Sequence, residues 1–242
     1  MNYKIINLIM FAAMVFVNYL ANALPLNGKT TGQLSAEYPN LFVPAGVTFS
    51  IWGVIYIMLL VFVILQFFDS HKLIVTQISW AFAISCLFNY LWIVAWHYQL
   101  LPLSLGIMLG LLATLIYIGY KLQPMPLSLT KAAFGIYFGW ICIATIANVT
   151  AILVNYKWGG WGITEQTWSI VMIAIGALIV SISLIRLNNP FIGLAVVWAF
   201  WGIVIKQKGL QPPIVIAAFI GIGVVGALTL FLFVKGGVLS KA

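Results

Sequence analysis

Charge is scarce in this sequence. Of its 242 residues only 6% are charged, whereas soluble domains carry about 25%. The acidic residues number three, Glu37, Asp69 and Glu165, and all fall between the apolar runs. A proton relay or cation pathway inside a membrane normally rests on buried carboxylates, so a carboxylate-driven pump is excluded. Cysteine is equally sparse. Cys86 and Cys142 lie in mid-run without CxxC or histidine spacing, which supports neither a disulfide nor a zinc site. The two histidines are His71, beside Asp69 in a short connection, and His97, at a run end beside Trp96. Interfacial placement of His97 outweighs the rival reading as a haem ligand. HExxH, GxSxG and Walker patterns are missing, so hydrolytic chemistry finds no machinery. The net charge of +8 comes from scattered single lysines and arginines. Nucleic-acid binding needs a basic stripe, and is excluded.

What is abundant is apolar length. Hydrophobic residues make up 64% of the chain, and its mean hydropathy is +1.15. A helical span needs about 20 apolar residues to cross a core about 30 Å thick. Eight runs qualify: 5–22, 44–68, 75–96, 102–121, 129–155, 167–186, 189–205 and 212–234. The predicted fold is all-α, a polytopic transmembrane helical bundle of about eight spans. Pro44, Pro102, Pro190 and Pro212–Pro213 stand where helices begin, a position that tolerates a missing N–H. Asn189 and Thr164 are predicted to cap helix starts. With the amino terminus inside, Lys4, Lys72, Lys121, Lys131, Arg186, Lys235 and Lys241 fall on the cytoplasmic side, and Lys29, Lys157, Lys206 and Lys208 outside. That asymmetry favours a cell-membrane protein with both termini cytoplasmic, and the span composition suits a bacterial cytoplasmic membrane. Residues 1–23 also fit a signal segment with a cleavage site at Ala21-Asn22-Ala23. The retained helix is favoured, because no soluble domain follows.

Two runs carry polar and aromatic residues on one face. At about 100° per residue, Tyr137, Trp140, Ala144, Asn148, Ala151 and Asn155 share a stripe, as do Ala81, Ser85, Asn89, Trp92 and Trp96. An amide without partners in lipid costs about 2–7 kcal/mol, so both stripes are expected to face protein or a cavity. Helix packing and a cavity lining explain the pattern equally well. Trp96, Trp158, Trp161 and Trp168 lie near run ends and are assigned to the interfacial belt. Gly106 and Gly110 form a GxxxG, a weak marker of a homodimer.

The stretches "FVPAGVTFSIWGVIYIMLL" (42–60), "LFNYLWIVAW" (87–96) and "YFGWICIATIANVTAILVNY" (137–156) resemble the TspO/MBR family. That family comprises the tryptophan-rich sensory proteins and the translocator protein, or peripheral benzodiazepine receptor. Trp52 and Tyr56 supply its Trp-x-x-x-Tyr, Asn89 and Trp92 its Asn-x-x-Trp, and Tyr137, Trp140, Ala144 and Asn148 the motif of its fifth helix. Ser50 and Ile136 stand where the family usually has proline. The resemblance covers about 1–156, a five-helix transmembrane region, and leaves 157–242 as a three-helix transmembrane extension. It implies a pocket for porphyrins, other tetrapyrroles, sterols or further flat hydrophobic ligands, which are bound, transported or sensed. Its implied lining is Trp52, Tyr56, Asn89, Trp92, Tyr137, Trp140, Ala144 and Asn148. Loop 23–43 is the implied lid, with Lys29 available to porphyrin propionates. No cofactor is required and no enzyme activity is expected, light-dependent porphyrin breakdown being a property some family members carry. The expected partners are membrane lipid and a hydrophobic small molecule. Two alternatives stay open: a small-solute transporter using all eight spans, and a ligand-free membrane interaction or sensory partner.

Overall fold

Each peripheral helix buries one stripe and turns the remainder of its surface to lipid. The structure, a computed structural model, describes residues 3–24, 26–68, 72–78 and 80–239. In α1 (Tyr3–Ala23) the inward stripe is Asn7, Phe11, Met14, Asn18 and Ala21, at spacings of three and four. That is the period of one helical face. In α6 (Leu101–Leu122) the stripe runs Leu101, Ser104, Met108, Leu111, Leu115, Ile118 and Leu122. Exposed Phe16, Leu109 and Ile116 cover the outward faces of these two helices, as a bilayer solvent allows.

The chain is all-helical, with no strand among the described residues. Besides α1 and α6, the long helices are α3 (Ile51–Leu65), α5 (Ala81–His97), α7 (Leu129–Asn155), α8 (Glu165–Leu187), α9 (Phe191–Gln207) and α10 (Pro212–Leu239). Two short helices, α2 (Thr31–Ala36) and α4 (Lys72–Ile78), lie in the connections. Among the described residues, six helical segments are long and apolar enough to cross a membrane, one of them Gly46–Leu65, in which a 3-10 turn runs into α3, while α5 and α9 are apolar helices of 17 residues. The sequence joins 75–96 into one span. In the structure α4 stops at Ile78 and α5 begins at Ala81. The apolar run therefore continues through a break that hydropathy, which registers composition alone, does not detect. Asp69 and His71 lie outside the described residues.

Neighbour relations close α1, α5, α6, α7 and α3 into a five-membered ring, α3 meeting α1 again. The other three helices pack outside it. α9 lies along α7, α10 along α9, and α8 along α10, α9 and α7. Helix α7 is thus a wall common to both groups, and it is buried almost all round between Thr130 and Ile143. Its outward side carries Gly135 and Gly139 at GxxxG spacing. A side chain at Gly139 would run into the Ile192 carbonyl, and one at Gly135 into Asn189 and Phe191. The missing Cβ atoms let α9 approach the α7 backbone directly.

Helix ends are closed by local chemistry. Thr164 caps α8 by accepting from the Thr167 N–H, and Ser128 caps α7 by accepting from the Lys131 N–H. Asn189 does not cap α9 through its N-cap position, which Pro190 takes. Its amide instead donates to the Lys131 carbonyl, and its Oδ1 accepts from the Phe191 N–H. Lys131 donates to the carbonyls of Gln123 and Met125, groups left over where α6 ends. One end of the bundle gathers the long connections 24–50 and 156–164 and is the loop-bearing end.

Candidate ligand pocket at the loop-bearing end

Stacked rings form the axis of the five-helix ring. Trp96, Trp92, Trp52 and Tyr56 lie in series, with successive centroids 6.0, 6.2 and 5.6 Å apart and planes within 28° of parallel. Trp140 and Tyr137 meet Trp52 edge-on at 6.3 and 6.2 Å, and Tyr38 tilts onto Trp96 at 5.9 Å. Offset and edge-to-face arrangements at these separations are favourable for aromatic quadrupoles, by about 0.5–1.5 kcal/mol per pair. Trp96, assigned from sequence to the interfacial belt, is 6% exposed and belongs to this ladder. Its position near a helix end misleads because the 24–43 connection covers that end.

The ladder borders two small cavities. One, of about 50 Å³, is lined by Trp52, Trp92, Trp96, Trp140, Ala144 and Asn148 together with Thr31, Asn40, Pro44 and Phe49. The other, of about 140 Å³, lies among Asn18, Asn22, Thr31, Phe49, Trp52 and Tyr56. Thr31, Phe49 and Trp52 border both, so these side chains form the partition between them. Five of the eight sequence-derived positions, Trp52, Trp92, Trp140, Ala144 and Asn148, thus converge on one cavity. Tyr56 lines its neighbour.

Asn89 and Tyr137 line neither cavity. They are fully buried and join a polar chain through three helices. Asn18 donates to Asn89 Oδ1 at 2.8 Å, and Asn89 donates to the Tyr137 hydroxyl at 2.8 Å. Asn18 was missed in the sequence because α1 reads as a uniform apolar run. Ser104, also missed, donates to the Leu101 carbonyl at 2.8 Å and lies 3.2 Å from Asn148 Oδ1.

Polar atoms without partners concentrate here. The indole N–H groups of Trp92, Trp96 and Trp140, the Asn148 amide nitrogen and the Thr31 hydroxyl are buried and unpaired, and all five residues line the first cavity. A buried polar group left unpaired costs about 1–3 kcal/mol, and native structures hold few of them. Five such groups therefore gather at one cavity.

The cover over the pocket is organised by short-range caps. Thr30 and Gln33 form a reciprocal capping box at the start of α2, and Asn27 donates to the His97 carbonyl. Lys29 pairs with Glu37 and lines neither cavity, so it is committed within the cover. Burial first, and the Glu37 carboxylate second, push the Tyr38 phenol above its ordinary value. Beyond it, Asn40 Oδ1 accepts from the N–H groups of Phe42 and Val43, an Asx arrangement that shapes the turn.

Segment 40–48 is held from outside the ring. Lys206 donates to the carbonyls of Asn40 and Val43 at 3.3 and 2.9 Å, Gln207 to that of Leu41, and Trp198 to that of Thr48. The Ala45 N–H donates to the Gly202 carbonyl at 3.0 Å. A side chain at Gly202 would collide with Thr48, so the approach of α9 depends on that glycine.

A membrane-embedded helical bundle with an enclosed, aromatic, donor-rich interior at one end is the class these features define. The family model described as TSPO-like protein matches residues 4–231, and the chain belongs to that family. The match runs past 156 and takes in α8, α9 and most of α10. No curated protein and no solved structure matches the chain.

Proposed function

We propose that the protein binds flat hydrophobic ligands of the porphyrin kind in the pocket at the loop-bearing end. The supporting observation is the convergence of Trp52, Trp92, Trp96, Trp140 and Asn148 on one cavity, four of those five residues carrying unpaired or edge-presented polar N–H groups. Drug-sized ligands occupy about 300–1,000 Å³, far more than the 50 and 140 Å³ present. Binding therefore requires Trp52 and Phe49 to swing away and merge the two spaces, with the cover lifting over them. Ring faces then stack on the ligand, and the freed indole N–H groups meet its acceptors. The protein acts by binding, in sensing or carriage, rather than by acid–base catalysis. Lysine and arginine placement supports cytoplasmic termini.

Titration of the purified protein with protoporphyrin, followed by tryptophan quenching, tests the assignment. The double variant Trp140→Phe, Asn148→Leu is expected to weaken binding about tenfold, or about 1.4 kcal/mol. Unchanged affinity removes the pocket from this role.

One observation favours the ligand-free alternative: the small free volume, with Asn89 wholly packed. The cluster of unpaired donors weighs against it. The eight-span transporter draws less support, since the five-helix ring closes on itself and the other helices pack outside it.

A further inference from the structure

A third cavity, of about 430 Å³, opens where α7 ends and α8 begins, outside the five-helix ring. Its two long walls are single helical faces. Thr150, Leu153 and Val154 share one face of α7, and Lys157 follows two residues beyond the helix end with a φ of 51°. Glu165, Trp168, Ser169 and Met172 share one face of α8 at positions i, i+3, i+4 and i+7. Lys157 and Glu165 are both exposed and belong to opposite walls, and Glu165 also feels the Lys206 ammonium. They do not pair with each other, Lys29–Glu37 being the one ion pair among the described residues.

Depth along α8 orders the chemistry. Ser169 lies one turn below Glu165, about 6 Å deeper, and Met172 about 10 Å deeper. Ser169 is 4% exposed, lines the cavity, and makes no hydrogen bond with another described residue. Its hydroxyl is a hydrogen-bond donor on the cavity lining that no other described residue takes up. Below it the wall is apolar, and the wedge closes where Gly176 meets Ile146 and Ile143.

Aromatic contacts brace the rim. The rings of Trp158, Trp161 and Trp168 pack at 5.1–5.9 Å, and Trp168 Nε1 donates to the Gly160 carbonyl at 2.9 Å. Lys157 and Trp161 are held with φ of 51° and 54°, left-handed conformations that side chains rarely adopt. Indoles at this depth suit the boundary between lipid and water.

From opposite charges on opposite walls, a hydrogen-bond donor one turn down and an apolar floor, we infer that this cavity binds a zwitterionic phospholipid headgroup of the phosphoethanolamine type. The amine faces Glu165, the phosphate faces Lys157, the glycerol ester accepts from Ser169, and the start of one acyl chain follows Met172 and Leu153. The volume admits a headgroup and part of one chain. Asn40 borders both this cavity and the porphyrin pocket, and the remaining linings differ.

The test titrates the full chain in a maltoside detergent with lysophosphatidylethanolamine, lysophosphatidylglycerol and free phosphoethanolamine. Native mass spectrometry counts the bound molecules and tryptophan fluorescence gives the affinities. One lysophosphatidylethanolamine is expected per chain, held more tightly than lysophosphatidylglycerol. Glu165→Gln is expected to weaken the zwitterion about three- to fivefold and to spare the anionic lipid. Lys157→Gln is expected to weaken both, and Ser169→Ala to weaken both lipids without touching phosphoethanolamine. Phosphoethanolamine binding as tightly as its lipid assigns the headgroup chemistry to a soluble ligand, and chain-dependent binding assigns it to the membrane. Equal affinity for the two lipids with no response to Glu165→Gln overturns the proposal, as does binding of none of the three. Protoporphyrin affinity in Glu165→Gln stays at the wild-type value, which separates this site from the pocket.

Discussion

The two sides of α7 solve the same problem in opposite ways. Toward the ring it presents Tyr137, Trp140, Ala144 and Asn148, which meet rings, amides and small cavities. Toward the flanking helices it presents Gly135 and Gly139, against which the backbone of α9 lies directly. The first side keeps unpaired donors and free volume. The second keeps neither feature at its glycine contacts and gains dispersion contact at close range, the main source of helix association in lipid. One helix can therefore be a firm wall on one face and border a cavity on the other.

Breaking the tight side is expected to do the most damage. Gly139→Leu forces a side chain into the Ile192 carbonyl and should cost about 3 kcal/mol or more, seen as a large fall in the unfolding midpoint in detergent. Gly106→Leu, at a glycine with open space around it, should change little. A similar loss at both positions would abolish the contrast.

Asn89→Leu attacks the ring side. It leaves Asn18 and Tyr137 without their shared partner and should cost about 1–2 kcal/mol, measured by the same unfolding experiment. A loss larger than that of Gly139→Leu would reverse the ranking of the two sides.

Lys206→Met sharpens the comparison by touching the contact between them. It removes two bonds to the carbonyls of Asn40 and Val43, with a net cost of about 1 kcal/mol. Amide exchange in 40–48 should accelerate and protoporphyrin should associate faster. Unchanged exchange would mean that the flank does not restrain the cover.

Tyr38 gives the smallest effect. Its folded-state pKa lies above the ordinary tyrosine value, so the folded protein favours the neutral phenol. The resulting stabilisation is complete below pH about 10 and is lost as pH rises through the folded value. In Tyr38→Phe, alkaline titration followed by absorbance should lose one phenol that titrates above the ordinary range.

Much of this organisation was legible from residue order. Stripe spacing on α5 and α7 placed Trp92, Trp140 and Asn148 at one cavity, because helical period alone decides which residues share a face. The sequence did not disclose Thr31, Asn40 and Phe49, which come from connections whose placement depends on partners about 160 residues away, such as Lys206 and Gln207. Periodicity has no range of that kind. The GxxxG of Gly135 and Gly139 escaped notice because the same helix advertises a polar face, whereas the Gly106–Gly110 pair drew attention and Gly106 packs on nothing. The break between α4 and α5 was hidden by unbroken hydropathy.

Lys206, Gln207, Trp198 and Gly202 bond to backbone rather than to side chains of segment 40–48. The grip therefore constrains Asn40, Pro44 and Thr48, whose side chains shape the turn or lie against Gly202. It leaves an exposed position such as Val47 open to substitution while the anchoring geometry on α9 stays the same.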